Sequence, residues 1–383
     1  MSCTVIKVPT LQIMMKKDLT VFDISADELE SAPVERAFTL ASDFYTSPQF
    51  DHSDKKIILG KHWQCVGHIS RISEPGMAYP ITVAGNPVLI IHSMDGEIRA
   101  FFNVCKHRGG PLLDKPGSFK FIKCLYHGWT YRTDGSLRGV PHFDRAELFD
   151  KDEFGLRPIH LEIRSGLIWI NLCDSQPEVS LDEVLAGVKE RIGHIDLSTL
   201  KFAGEIVYDV NCNWKVYADN YLEGYHVPHV HPELCDLLSF QDYTTECFKW
   251  YSLQYSPFRQ KESIYSDGSG EAYYYFVYPN TMLNILPGRV QLNRIEPVDH
   301  KRCKVIFEYY YDDIESESAK KKVADDMEYS ERVQQEDMDI CEHVQRGLES
   351  VAYHKGRFSP KMETAVHHFQ ELVKADYKAY LNT

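Results

Sequence analysis

The sequence predicts an α+β protein in which an all-β module is set inside a larger α+β domain. Between residues 60 and 172, short β-rich runs ("WQCVGHISRI", "PVLIIHS", "IRAFFNV", "GLIWINL") alternate with Gly, Pro and Asp turns, among them Asp95-Gly96 and Asp134-Gly135. Residues 180–195 ("SLDEVLAGVKERIGHI") and about 317–350 have helical periodicity. Residues 200–310 mix strand-like runs with one helical segment at 213–226.

Taken in order, residues 26–56 read as helix and then loop, with a capping signal at Ser25 or Ser31. The chain therefore divides into 1–57, the first part of the larger domain, then 58–173, the β module, then 174–383, the remainder of the larger domain. No internal repeat or low-complexity tract interrupts this plan.

A chain of 383 residues is long enough for one large core or two. Its 43% hydrophobic and 26% charged residues are those of a soluble globular protein. A net charge of -14 disfavours nucleic acid and anionic membrane surfaces, and suits a cationic substrate or a basic partner. No apolar run has the length of a membrane span. The first residues are broken by Lys7, Pro9 and Lys16-Lys17 and do not read as a signal peptide, so a cytoplasmic location is expected. In that setting the ten cysteines are expected to be reduced, buried or metal-bound.

Two constellations carry chemistry. The first is "CKHRGGPLL" (Cys105 to Leu113) followed by "CLYHGWTY" (Cys124 to Tyr131), giving Cys-x-His, sixteen residues, then Cys-x2-His. Two thiolates and two imidazoles could hold one zinc ion, or could divide between the two irons of a cluster. Gly109, Gly110 and Gly128 allow backbone N–H groups to approach cluster sulfides, which favours the second arrangement.

The second is "NWKVYADNYLEGYHVPHVHPEL" (Asn213 to Leu234). If 213–226 is helical, Trp214, Tyr217, Tyr221 and Tyr225 form an apolar stripe, with Asp219, Glu223 and His226 on another face. Pro228 then disrupts the helix, and His226 and His231 can converge on one metal, with His229 a competitor by spacing alone. A two-histidine, one-carboxylate iron site needs an acid. In "RVQQEDMDICEHVQRGL" (332–348), Asp337 shares a helical stripe with Val333, Ile340, Val344 and Leu348, whereas Glu336, Asp339 and Glu342 fall towards solvent. An acid in an apolar stripe is costly to bury unless paired or metal-bound, although a half-exposed edge position would also accommodate it.

The first pattern resembles the signature of Rieske [2Fe–2S] domains. Over nearly its whole length the chain resembles the α subunits of Rieske non-haem iron oxygenases, closest in character to those of the choline monooxygenase type that act on quaternary ammonium compounds. The resemblance implies a Rieske module within a catalytic domain built on a central antiparallel, helix-grip-like sheet. It implies that Cys105 and Cys124 bind one iron of the cluster, and His107 and His127 the other. It implies mononuclear Fe(II) on His226, His231 and Asp337, leaving His229 a supporting role. It also implies a bridging carboxylate between subunits of a homotrimer. Glu223 holds that place, Asp219 being the alternative; ring-dihydroxylating members usually have Asp where this chain has Glu223.

No G-x-G-x-x-G fingerprint or plant-type cluster motif is present, so electrons from NAD(P)H require a separate flavin and iron–sulfur reductase. Residues 248–278 are rich in rings: Phe248, Trp250, Tyr251, Tyr255, Phe258, Tyr265, Tyr273, Tyr274, Tyr275, Phe276 and Tyr278. They could attract a quaternary ammonium, line an arene pocket, or simply be strand residues. By resemblance of residues 278–298, Asn284 and Gln291 are expected to face the substrate, with Tyr275 among the rings. The expected reaction is O2-dependent hydroxylation of choline to betaine aldehyde hydrate, or N-demethylation of a betaine. An arene dioxygenase, a non-oxygenase Rieske carrier and a zinc-stabilised binding module are the alternatives.

Overall fold

A computed structural model describes residues 26–231, 244–257 and 271–382; Ser25, Phe258 and Tyr265 lie outside them. The β module has strands β1 (Gln64–His68), β2 (Met77–Val83), β3 (Asn86–His92), β4 (Ile98–Phe102), β5 (Gly117–Ser118), β6 (Ile122–Lys123), β7 (Thr130–Tyr131), β8 (Leu137–Gly139), β9 (Pro158–Arg164) and β10 (Leu167–Asn171). Seven form an antiparallel sheet in the order β1-β10-β9-β4-β3-β2-β5, and β6-β7-β8 form a small second sheet. The loops after β4 and β6 stand on a core of Leu112, Leu113, Ile122, Trp129 and Tyr131.

The catalytic sheet is a seven-stranded antiparallel array of β11 (Lys201–Val210), β12 (Thr244–Cys247), β13 (Tyr251–Pro257), β14 (Glu271–Val277), β15 (Thr281–Leu286), β16 (Arg289–Asp299) and β17 (Arg302–Tyr311), in the order β11-β17-β16-β15-β14-β13-β12. Both faces of its central strands are covered, so β16 is buried from Arg289 to Pro297 although polar and apolar side chains alternate along it, whereas β11 stays largely exposed or half-buried. One face packs under α1 (Asp43–Thr46), α2 (Pro48–Ser53), α3 (Trp214–Tyr221), the long α4 (Glu317–Leu348) and α5 (Thr364–Leu381). The other packs on the short helical turns at Leu181–Val184 and Val188–Ile192 and on Trp63 and Trp169 of the module.

Helix α3 explains the "NWK" triplet. Asn213 is its N-cap and accepts from Lys215 N at 3.0 Å. Trp214 Nε1 donates to Asp54 Oδ2 at 2.8 Å, and Tyr377 Oη donates to Asp54 Oδ1 at 2.6 Å. Lys215, fully buried, forms an ion pair with the same carboxylate. The triplet thus ties α3 to the N-terminal segment and to α5, and fixes the helix that faces the site.

Five sequence expectations need correction. The 213–226 helix ends at Tyr221, and Tyr225 is exposed instead of joining its stripe. Pro228 lies in the first turn of a short helix, Val227–Val230, where its missing N–H costs nothing, so it begins a helix instead of breaking one. The 180–195 helix is two short turns, and residues 26–56 carry a single 3-10 turn at Ala26–Leu29, no helix following Ser31, and α-helices at 43–46 and 48–53. On α4 the buried stripe is Asp326, Gln334, Cys341 and Gln345, about one residue round from the expected one, and Val344 is exposed. Three of those four side chains are polar and hydrogen-bonded inward, which hydrophobic periodicity cannot detect.

Candidate functional site

The two Cys–His loops are built alike. Gly109 N donates to Cys105 O at 3.0 Å, and Gly128 N to Cys124 O at 3.1 Å. Both glycines have positive φ, 69° and 74°, which lets each turn close. The loops meet where Leu125 N donates to Pro111 O at 3.0 Å, and a side chain at Gly110 would come within 3.0 Å of Cys124 Sγ. Both cysteines are buried, with Cys105 Sγ 3.2 Å from Tyr131 Oη. The His107 and His127 rings are 4.8 Å apart, and His107 stacks on Trp129 at 4.9 Å. His107 Nδ1 is buried with no hydrogen-bond partner among the described residues, as suits a nitrogen reserved for a metal. The donor set therefore fits a two-iron cluster.

In the larger domain the structure brings together His226, His231 and Asp337, with ligand atoms within 4.8 Å of one another. His226 ends the loop after α3, His231 follows the Val227–Val230 turn, and Asp337 projects from α4. Asp337 Oδ1 lies 2.9 Å from His231 Nε2 and 3.6 Å from His226 Nε2. Two imidazoles and a carboxylate converging from one side fit a metal with open positions. His229 is exposed and outside this group.

Each of these residues is held from behind. His226 Nδ1 donates to Glu223 Oε1 at 2.6 Å, and His231 Nδ1 to Glu336 Oε2 at 2.6 Å. Asn220 Nδ2 donates to Asp337 Oδ1 at 2.7 Å. Glu336 and Asn220 were not singled out from sequence. Glu336 was assigned to solvent, and indeed keeps 45% exposure, but its carboxylate turns back to the ring. Glu342, likewise placed towards solvent, accepts from Asn211 N and Nδ2.

Burial opposes charge on His226, but Asp337 and Glu223 outweigh it and lift its pKa to about 9. Burial raises Asp337, yet the two imidazoles outweigh it and draw its carboxyl down to about 2. His231 is raised by the same carboxylates against its own burial.

Asp219 does not join the site. Its Oδ2 accepts from Tyr45 Oη at 2.7 Å and Gln370 Nε2 at 3.0 Å on the side of α3 facing α1 and α5. Burial there raises its pKa to about 7.

A cavity of about 1020 Å³, counting its open mouth, adjoins the metal-type trio. Its walls include Tyr217, Tyr221, Tyr274, Phe307 and Tyr329 with Asn284, Gln291, Asn293 and Ser330. Register places Tyr274, Asn284, Gln291 and Tyr309 directly opposite one another across β14 to β17. Asn284 accepts from Tyr221 Oη at 2.7 Å. Tyr275 lies one residue out of phase and points to the opposite face, among Tyr251, Tyr273 and Leu283. Phe248, Trp250, Tyr251, Tyr255 and Tyr273 belong to that core too, and Phe276 and Tyr278 to the core beneath α5. Of the rings expected from 248–278, Tyr274 reaches the cavity among the described residues.

The sequence matches the family described as Rieske [2Fe-2S] domain over residues 62–151 and that described as Ring hydroxylating alpha subunit (catalytic domain) over residues 197–379. It is 34% identical to a chloroplastic choline monooxygenase of Arabidopsis thaliana, covering 90% of this chain and 84% of that one. The chain belongs to the Rieske oxygenase α subunits. It is a Rieske non-haem iron monooxygenase, with a [2Fe–2S] cluster and a mononuclear iron as its cofactors. A carnitine monooxygenase oxygenase subunit of Acinetobacter baumannii is 33% identical to this oxygenase subunit over 88% of this chain and 94% of its own. A solved quaternary ammonium Rieske monooxygenase superposes with TM-score 0.82 at 31% identity, over 89% of this chain and 95% of that chain. Naphthalene 1,2-dioxygenase, 18% identical, superposes with TM-score 0.75 over 88% of this chain and 92% of its own, and shares the fold. Among the described residues no helix of the oxygenase subunit is long and apolar enough to cross a membrane, and its eight described cysteines are free of disulfides.

Proposed function

We propose that this oxygenase hydroxylates a carbon next to a quaternary nitrogen. The observation that carries the reading is the His226, His231 and Asp337 group opening onto a cavity walled by tyrosine rings and side-chain amides. Aromatic faces attract a quaternary ammonium by about 0.5–2 kcal/mol per contact. The relatives named for choline and carnitine oxidation support the same class.

Cys105, Cys124, His107 and His127 would hold the cluster, and His226, His231 and Asp337 the mononuclear iron. When bound, these groups supply electron storage and a site for O2. The chain's own residues do the positioning. Asn220 orients the Asp337 carboxylate, Glu223 and Glu336 fix the histidine tautomers, and the cavity rings hold the ammonium away from bulk water.

One oxygen atom enters the C–H bond, and the other leaves as water with two electrons and two protons. On an N-methyl group the resulting hemiaminal expels formaldehyde; on choline the product is betaine aldehyde hydrate. Electrons come from NAD(P)H through a separate reductase. Glu223, beside His226, serves as the carboxylate bridge to the cluster of a neighbouring subunit in a homotrimer. A relative's structure described for inter-subunit electron transfer supports that arrangement.

The test is product analysis on iron-loaded protein with reductant, O2, choline, glycine betaine, carnitine and a simple arene. Formaldehyde or an aldehyde from a quaternary amine is expected. An arene diol alone would replace this reading with ring dihydroxylation.

A further inference from the structure

The net charge of -14 hides a local reversal. From Cys105 to Arg138, the stretch that carries the cluster ligands, Lys106, Arg108, Lys115, Lys120, Lys123, Arg132 and Arg138 stand against Asp114 and Asp134 alone. All seven cations are exposed. The module's ion pairs fall on Arg71, Arg99, Arg157 and Arg164, and none of the seven takes part in one among the described residues. Asp134 is engaged by Ser136 N and Oγ at 2.8 and 2.7 Å.

The small sheet β6-β7-β8 sorts these charges. Ile122, Tyr131 and Leu137 point inward and are buried, so strand alternation turns Phe121, Lys123 and Arg138 outward. Arg138 lies 3.7 Å from the centre of the Phe121 ring, which is 41% exposed. The turn at Lys151–Phe154 packs beside β8, and neither its Asp152 nor its Glu153 pairs with Arg138. The Lys123 stem lies against the second cluster loop, since a Cβ on Gly128 would meet Lys123 Cε at 3.2 Å. Lys123 also precedes Cys124, so this face abuts the cysteine side of the cluster site. The histidine end is the loop tip, where the His127 and Tyr126 rings lie 3.7 Å apart and Arg108 covers Tyr126.

We propose that the outward face of Lys120, Phe121, Lys123 and Arg138 is where the external electron donor docks, and that the donor is an iron–sulfur carrier with an acidic contact surface. This rests on the separate-reductase part of the reading above and names the surface that part uses. One electron leaves the donor's reduced cluster and enters the oxidised cluster of this chain, with no bond made or broken. An acidic donor is repelled by most of a chain of net charge -14 and attracted by this face, which steers the encounter. Phe121 supplies an apolar ring at the middle of a charged rim, the usual anatomy of an interface. The proposed Glu223 bridge needs the histidine end for a neighbouring copy. Entry on the cysteine side lets donor and copy bind together.

Stopped-flow absorbance follows reduction of the cluster in iron-loaded enzyme by a pre-reduced plant-type [2Fe–2S] ferredoxin, an acidic carrier. The second-order rate is expected to fall about 10-fold between roughly 20 and 300 mM salt. The triple change Lys120→Glu, Lys123→Glu and Arg138→Glu should lower the low-salt rate by about 10- to 100-fold and converge on wild type at high salt, with cluster absorbance and midpoint potential kept. A charge-matched control in the larger domain, Lys189→Glu with Lys361→Glu and Lys378→Glu, should stay near wild type. A salt-independent rate, no reduction by the ferredoxin at low salt, or equal losses in the two triple variants overturns the inference. If the module variant instead changes oligomeric mass, or fails to re-oxidise a pre-reduced cluster with O2 and substrate, the face belongs to a second copy and the inference falls as well. Pre-reduced enzyme that gives no product from any quaternary amine would remove the substrate reading and leave the docking face standing.

Discussion

Glu336 Oε2 lies 2.6 Å from His231 Nδ1, and the next residue of the same helix, Asp337, lies 2.9 Å from His231 Nε2. Two consecutive carboxylates of α4 therefore grip both nitrogens of one imidazole that is itself 2% exposed. The outer contact holds Nδ1 protonated and Nε2 directed inward. Glu336→Gln is expected to weaken Fe(II) binding by about 10- to 100-fold, measured by chelator competition. Cluster absorbance should not change, since the two Cys–His loops belong to the other sheet system. Wild-type iron affinity in that variant would reduce Glu336 to a surface acid. Asp337→Ala, in the same assay, should lose the iron altogether and keep the cluster.

Glu223 occupies the matching position on His226, accepting from its Nδ1 at 2.6 Å and from its backbone N at 3.0 Å. Beyond fixing that ring, its proposed task is to connect two metal centres. Glu223→Ala should weaken Fe(II) binding as Glu336→Gln does, and, once loaded to saturation with iron and with its cluster intact, should still fail to re-oxidise the reduced cluster when O2 and substrate are added in a single turnover. Normal re-oxidation would remove the bridging role.

The metal-free trio should titrate in a definite direction. His226 has a folded pKa of about 9, above the ordinary histidine value of 6.5. Its contribution to stability is fully present below about 6.5 and is lost as pH rises through about 9. Asp337, drawn down to about 2, contributes above the ordinary carboxylate range and loses that contribution as pH falls through about 2. Urea titrations of iron-free protein should show stability falling between pH 6.5 and 9. Iron-loaded protein should lack that fall, and Fe(II) affinity should rise over the same window as the metal displaces protons. An iron affinity independent of pH there would contradict the charged trio.

Lys215 and Asp54 are fully buried together, with Trp214 and Tyr377 completing the carboxylate's bonds. Removing one partner leaves a buried charge alone, at a cost of about 3–5 kcal/mol. Lys215→Met should lower unfolding free energy by that amount in urea titrations, and adding Asp54→Asn should recover part of it. A change below about 1 kcal/mol would mean the pair contributes nothing beyond its packing.

The cluster loops were the most legible part of the chain. Cys105, His107, Cys124 and His127 are close in sequence, and their flanking glycines are required by the turns that bring them together. The α+β plan was legible as well, because strand and helix periods are local properties. Helix ends were less so: α3 closes at Leu222, whose N–H bonds Ala218 O and Asp219 O, and in the turn that follows Tyr225 N and His226 N donate to the Glu223 carboxylate, a side-chain contact that periodicity does not report.

By itself, then, the sequence determined the Rieske oxygenase class, the β module set within an α+β domain, and the residue types that two iron centres would need. The tertiary structure alone decided which of those residues face one another. Tyr274 and Tyr275 are equivalent by composition, and strand alternation sends one to the cavity and the other to the opposite core. Asp219 and Glu223 are both acids near His226, and only the end of α3 at Tyr221 aims Glu223 at the ring. Glu336 looks like a solvent acid on a helical wheel, yet a 2.6 Å bond to a histidine 105 positions earlier gives it a place at the site. The physical reason is the same in each case. Periodicity reports which face of an element is apolar, whereas a site is made where polar side chains from distant elements satisfy one another.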